Sequence, residues 1–221
     1  MAIIVALMAM LLMSALGAAL VLTTSSEAII AANFRNAQEG VYAADAALEI
    51  AMDDLASMPE WNPALDGSAQ AAFVDGPPSG VRTLADGSSL DLGQTVNMVN
   101  CRKVTPCSAS NLTAITALRP WGANNPVWQL FVYGPLSSLL PGQAIDSAYY
   151  VIVMVADDPS ENDNDSLHDG DDATTNPGSG VLALRAESFG PRGTRQVIEL
   201  TVARPGVEEG GVRVLSWRVV R

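Results

Sequence analysis

Residues 1–22 read MAIIVALMAMLLMSALGAALVL, apolar except at Ser14 and Gly17, and no charged side chain occurs before Glu27. As a helix this run rises about 33 Å, enough to cross a bilayer core of about 30 Å. A buried helix of a soluble domain seldom runs so far without a polar face. The stretch therefore predicts a segment that enters a membrane or an equally apolar surrounding. A cleaved secretory signal needs basic residues ahead of the apolar run and a small-residue cleavage motif behind it. The first basic residue here is Arg35. Met1 is then either an initiator or an end exposed by removal of a leader.

The helical pattern continues past the apolar run. Ile30, Phe34, Ala37, Val41, Ala44, Leu48, Ala51 and Leu55 recur at alternating spacings of four and three, a heptad seam. Large residues alternate with alanine along it, which permits close approach of a partner helix or sheet. Glu27, Arg35, Gln38, Glu39, Asp45, Glu49, Asp53 and Asp54 occupy the other faces. Gly40 lies inside and costs about 1 kcal/mol relative to alanine. Pro59 pushes Met58 out of the helical region and stops the element. Three parts follow: an apolar helix of transmembrane length over residues 1–26, its amphipathic continuation over 27–58, and a globular remainder over 59–221. Unbroken, the helix is about 87 Å long.

Met1-Ala2-Ile3-Ile4-Val5-Ala6-Leu7-Met8 and Ser14-Ala15-Leu16-Gly17 open the chain. Thr23-Thr24-Ser25-Ser26-Glu27, Ala32-Asn33-Phe34-Arg35-Asn36 and Tyr42-Ala43-Ala44-Asp45-Ala46-Ala47-Leu48-Glu49 follow. Together they resemble the type IV pilin superfamily, in particular PilX-type pilins, with some similarity to the K-type minor pseudopilin of type II secretion. The resemblance covers about the first 58 residues in sequence and the rest in layout. It implies a leader peptidase that cuts before the apolar run, so that Met1 is the mature, N-methylated end. It also implies polymerisation through the helix, with Met1, Val5, Leu12, Leu16 and Leu20 against copies of the chain or other pilins. The inner membrane would hold a single-pass intermediate before assembly into an extracellular filament on the bacterial surface. Most pilins carry glutamate at the fifth mature position, pairing with a neighbour's terminal ammonium; this chain has Val5. An apolar core penalises an unpaired ammonium, so the amine needs carbonyl or hydroxyl partners, such as a neighbour's Ser14 or Thr23, or a place at a tip. The K-type pseudopilin also lacks this glutamate and caps its assembly.

The whole chain is 221 residues long, 48% hydrophobic, with 24 acidic and 12 basic side chains. The length is ample for a core, and the hydrophobic fraction excludes wholesale disorder. Lys103 is the single lysine, and nucleic-acid binding is not expected without clustered cations. Both excesses are local, one in the apolar head and one in residues 157–172.

Beyond Pro59 the composition turns to Pro, Gly, Ser and Asn with short apolar runs, as in all-β or α+β domains. Turns are expected at residues 75–80 and 86–89. Strands are expected at residues 81–84, 95–99, 113–118, 127–133, 147–156, 181–189, 194–203 and 212–220. The run from Tyr149 to Val155 is apolar on both faces and reads as a central strand. Gly190-Pro191-Arg192-Gly193 reads as a hairpin connection. The expected fold is α+β and pilin-like: the long helix packed on a carboxy-terminal antiparallel sheet, burying both apolar surfaces. A two-sheet sandwich is the other arrangement this pattern allows.

Cys101 and Cys107 are too far apart for a CxxC redox or zinc knuckle, and no second pair exists. They form either a small disulfide loop, consistent with an oxidising compartment, or two reduced buried thiols. So short a loop acts mainly on local shape. The acidic segment 157–172 carries Asp157, Asp158, Glu161, Asp163, Asp165, Asp169, Asp171 and Asp172. Asp158, Glu161, Asp163, Asp165 and Asp169 are the candidate ligands for Ca2+, a hard cation that takes six to eight oxygens. Like charges this dense repel unless something neutralises them; a solvated loop is the alternative. The spacing does not fit an EF-hand, although calcium sites near the carboxy end occur in some pilins and pseudopilins.

No GxSxG, HExxH or phosphate-cradling glycine loop is present, and His168, the single histidine, reads as a bystander. No enzyme is expected. The sequons at Asn111 and Asn164 support no claim. The sequence thus favours a structural subunit of a type IV pilus-like filament. A minor or tip pilin or adhesin, with its receptor unspecified, and a pseudopilin of a type II secretion system are the alternatives.

Overall fold

The structure, a computed structural model, describes residues 1–114, 120–139, 145–161, 163–170, 178–204 and 211–220. Two compact units divide the chain, Met1–Gln38 and Glu39–Arg221. Helix α1 is continuous over Ala2–Ser57. In the first unit its hydroxyl residues turn inward along the backbone. Ser14 donates to the Met10 carbonyl, Thr23 to Ala19, Ser25 to Val21 and Ser26 to Leu22, so these polar hydrogens are satisfied within the helix. The side chains of the apolar run are exposed on every face.

The second unit is built around an antiparallel sheet. Short elements come first: α2 (Asn62–Leu65), β1 (Val81–Thr83), β2 (Ser89–Asp91), α3 (Leu92–Cys101) and α4 (Ala109–Thr113). The sheet strands are β3 (Gln129–Pro135), β4 (Tyr150–Asp157), β5 (Val181–Gly190), β6 (Thr194–Ala203) and β7 (Arg213–Val220), in the order β3-β4-β5-β6-β7. This is the meander expected from the sequence. All eight residues of β4 are buried, as its two-faced apolar run requires. Gly190-Pro191-Arg192-Gly193 joins β5 to β6 as anticipated, with Gly190 facing Thr194.

Residues 40–55 of α1 pack on one face of the sheet. Gly40, Ala43, Ala44, Ala47, Leu48, Ala51 and Leu55 are buried there with Val151, Val153, Leu182, Leu184, Ala186, Ile198 and Leu200. The heptad seam is thus corrected in two ways. It widens to include Gly40, Ala43 and Ala47, because a flat sheet covers more of a helix than a single partner helix does. Its amino end is not buried, since Ile30 and Phe34 are 67% and 66% exposed. Gly40 marks the closest approach: Ser188 Oγ donates to its carbonyl at 2.7 Å. A Cβ there would stand 2.8 Å from Gln196 Cγ and 3.3 Å from Tyr149 Cε1. At the end of α1, Trp61 is buried and its Nε1 donates to the Leu55 carbonyl at 3.0 Å, satisfying one of the acceptors left by the last turn.

The opposite face of β3 and β4 is covered by β1, β2 and α3, where Leu90, Leu92, Val96 and Val99 meet Leu130, Tyr150, Ile152 and Met154. Residues 95–99, expected as a strand, lie in α3. Asp91 caps that helix, accepting from Gln94 N at 2.9 Å, and Leu92, Val96 and Val99 recur at helical spacing, which outweighs the β propensity of Thr95 and Val96. Asn100 fixes α3 to the sheet by exchanging two hydrogen bonds with the Trp128 backbone, at 3.0 and 2.8 Å. Of the strand expected at 113–118, Thr113 ends α4 and residues 115–118 lie outside the described residues.

Candidate functional site

Two features carry chemistry that the core does not use up. The first is the apolar half of α1. Met1, Val5, Leu12, Leu16 and Leu20 are between 62% and 101% exposed, and the helix is long and apolar enough to cross a membrane. Leu12, Leu16 and Leu20 follow one another at i, i+4 spacing, so they share a side of the helix. Nothing in the first unit buries them.

The second is a carboxylate pocket where β4 ends. Burial of the β4 backbone carries Asp157 inside with it, leaving the residue 4% exposed, and Glu161, in the turn that follows, is 1% exposed. Asp163 joins them, and one carboxylate oxygen from each of the three lies within 4.8 Å of the others. Burial pushes the Asp157 carboxyl up to about 9, helped by the charge of Glu161 beside it. Burial also raises Glu161, while hydrogen bonds from Asp157 and Gly170 N act against that shift. The Gly170 bond, to Glu161 Oε2, is 3.0 Å long. A neutral Asp157 carboxyl is the response to burying like charges together; a cation beside it restores the ionised form. The trio can hold a metal ion.

The structure therefore sorts the expected calcium ligands. Glu161 and Asp163 come together. Asp158 instead accepts from Ser160 N at 3.2 Å and Ser160 Oγ at 2.6 Å. Asp165 lies 2.7 Å from His168 Nδ1, which gives the lone histidine a local partner at the surface. Asp169 accepts from Gly180 N at 2.6 Å and sits 3.7 Å from Arg204 Nη2. Burial raises its pKa, and the Gly180 bond and Arg204 oppose the rise. Asp157, not chosen as a ligand from the sequence, is with Glu161 one of the two buried carboxyls of the three-residue cluster. In the sequence it is the first residue of the acidic run, directly after the apolar stretch that ends at Ala156. Asn162, Asp171 and Asp172 lie outside the described residues.

Cys101 and Cys107 form a disulfide with Cα atoms 6.0 Å apart, so the reduced-thiol alternative does not hold. The bridge ties the end of α3 to the segment entering α4. Arg102 takes the left-handed conformation, φ 58°, that terminates α3, and Ser108 opens α4 with a capping box to Asn111.

The model of the PilX N-terminal family matches residues 1–49. No curated protein and no solved structure matches the chain. The matched stretch contains the whole exposed apolar run and most of the helix face that packs on the sheet, and the match points to a structural protein. Over residues 1–49, then, the chain is similar to the amino-terminal segment of PilX-type, type IV pilin-like proteins.

Proposed function

We propose that this chain is a structural subunit of an extracellular type IV pilus-like filament and polymerises through the apolar half of α1. The observation that carries this is the exposure of that run on a chain whose second unit has its own core. Apolar surface contributes about 25 cal/mol per Å2 when removed from water, so the helix moves into lipid or against other apolar helices. The inner membrane holds the subunit before assembly, and copies of the same helix, or those of other pilins, replace the lipid in the filament. Electron microscopy of sheared surface material tests this. A regular fibre built mainly of this chain is expected; a chain that stays with the bilayer would contradict it.

A second reading, a minor or tip subunit, is favoured by Val5 and by the lack of any carboxylate before Glu27. In a repeating core, the hydroxyl oxygens of Ser14 and Thr23 keep acceptor lone pairs after donating to their own helix, and a neighbour's ammonium can use them. At a tip, no such partner is needed. The same micrographs, labelled for this chain, separate a fibre decorated along its length from one decorated at an end. A pseudopilin role in type II secretion would give short periplasmic assemblies in place of surface fibres.

The carboxylate pocket fits calcium in this proposal. Asp157, Glu161 and Asp163 supply hard oxygen ligands, and carbonyls and water complete the six to eight that Ca2+ takes. Calcium would then fasten the end of β4 to the turn that follows it. Calorimetry with and without a chelator tests this: a lower melting temperature on chelation is expected, and no change would remove calcium from the account.

A further inference from the structure

On the sheet face turned away from α1, five side chains of β5, β6 and β7 form a continuous ion-pair ladder, Arg195–Glu187–Arg185–Glu199–Arg218. Both anions lie inside the ladder and both ends are guanidinium groups. Glu187 is fully buried, while the Arg195 and Arg218 side chains are 50% and 73% exposed. Each terminal arginine binds its carboxylate through Nε and Nη2, and its Nη1 carries two further donor hydrogens.

On the other side of the same unit, α1 presents the opposite charge. Between residues 36 and 60 it carries Glu39, Asp45, Glu49, Asp53 and Asp54, and no lysine or arginine. Glu49 and Asp53 are exposed, while Asp45 is half-buried and accepts a hydrogen bond from Trp217 Nε1 at 3.3 Å. Asp45, Glu49 and Asp53 follow one another at i, i+4 and i+8 and span about 12 Å of one helix face. The ends of the ladder lie four residues apart along β6 through the Glu199–Arg218 pairing, about 13 Å at the rise of a strand. The two cationic ends are thus about as far apart as Asp45 is from Asp53.

We propose that the Arg195–Arg218 edge of the ladder docks on the Asp45–Glu49–Asp53 row of α1 in a second copy of this chain. The two surfaces differ and lie on opposite sides of the sheet, so the contact is heterologous. Such a contact repeats from copy to copy and does not close as a two-fold pair does. It rests on the filament reading and adds to it a lateral contact between the globular units, independent of the apolar helix. Each exposed pair contributes modestly and is screened by salt, but every subunit in a polymer makes the set.

The test uses the full chain in detergent, with assembly followed by sedimentation across protein concentration at low and high salt. Reversing the helix charges with Glu49→Arg and Asp53→Arg, or the ladder end with Arg218→Glu, is expected to raise the concentration for half-assembly about tenfold. An equimolar mixture of the two variants restores assembly, because each then meets its complement on the other. Unchanged melting temperatures establish that the variants fold; if Arg218→Glu unfolds, Arg218→Gln replaces it, with a smaller loss and no rescue expected. Wild-type assembly that is insensitive to salt and to all of these variants overturns the docking and leaves the filament reading standing. A wild-type chain that never assembles at any salt overturns both.

Discussion

Asp157 couples the state of the carboxylate pocket to pH. Its folded pKa, about 9, lies far above that of an unfolded aspartate, about 4. The folded chain therefore holds a proton that the unfolded chain has released. Without metal, that contribution to stability is fully present below about pH 4 and is lost as pH rises towards 9. Calcium reverses the preference, because a ligating carboxylate must be ionised. Melting temperatures measured from pH 5 to 9 should decline in chelator and decline less in Ca2+, and Asp157→Asn should flatten the slope and shrink the calcium gain. Equal slopes for the wild type and Asp157→Asn would show that this carboxyl does not titrate as argued. The acidity of the segment was legible in the sequence, but the identity of the converging groups was not. Charge density along a loop does not say which carboxyls follow a strand into the core. Asp158 and Asp165 instead went to neighbours two and three residues on, Ser160 and His168.

Between the elements, small residues set the distance of α1 from the sheet. Gly40 and Gly190 both stand against the Tyr149 ring, and a Cβ on Gly190 would lie 2.1 Å from Tyr149 Cε1. Gly190→Ala should therefore cost about 2 kcal/mol or more, and Gly40→Val about 1–3 kcal/mol despite the gain in helix propensity; denaturant melts read both. From sequence, Gly40 registers only as a weak point in a helix, because its use depends on Ser188 and Tyr149, far away in the chain. The strands were legible wherever their faces were plain, as in β4 and in the alternation of β6. The strand expectation at 95–99 failed because a short apolar run with β-branched residues is ambiguous until its cap, Asp91, is weighed with it. The buried ladder makes a further demand on β5. Glu187 is enclosed by Arg185 and Arg195, at 2.8 and 2.5 Å. Glu187→Gln should cost about 3 kcal/mol, the usual order for breaking one side of a buried pair, seen as a lower urea midpoint at unchanged slope.

Across the whole molecule, two sequence averages separate into distinct physical parts. The hydrophobic excess is the exposed run of the first unit, and the negative charge is mostly segment 157–172, with a smaller share on the carboxy-terminal half of α1. The apolar run and the helical pattern that follows it identified the long amino-terminal helix, because length and period are local properties of a chain. The third layer over β3 and β4 was not legible, since β1, β2 and α3 are short and find their place only through contacts such as Asn100 with Trp128. What the molecule does turns on whether its apolar helix is buried against copies of itself. The most direct measurement is electron microscopy of filaments sheared from the cell surface, with this chain labelled and its amount in the fibre determined. The account predicts regular fibres in which this chain is the main protein, with label along their length. Sheared material free of this chain, with the intact chain retained in the membrane fraction, would contradict it.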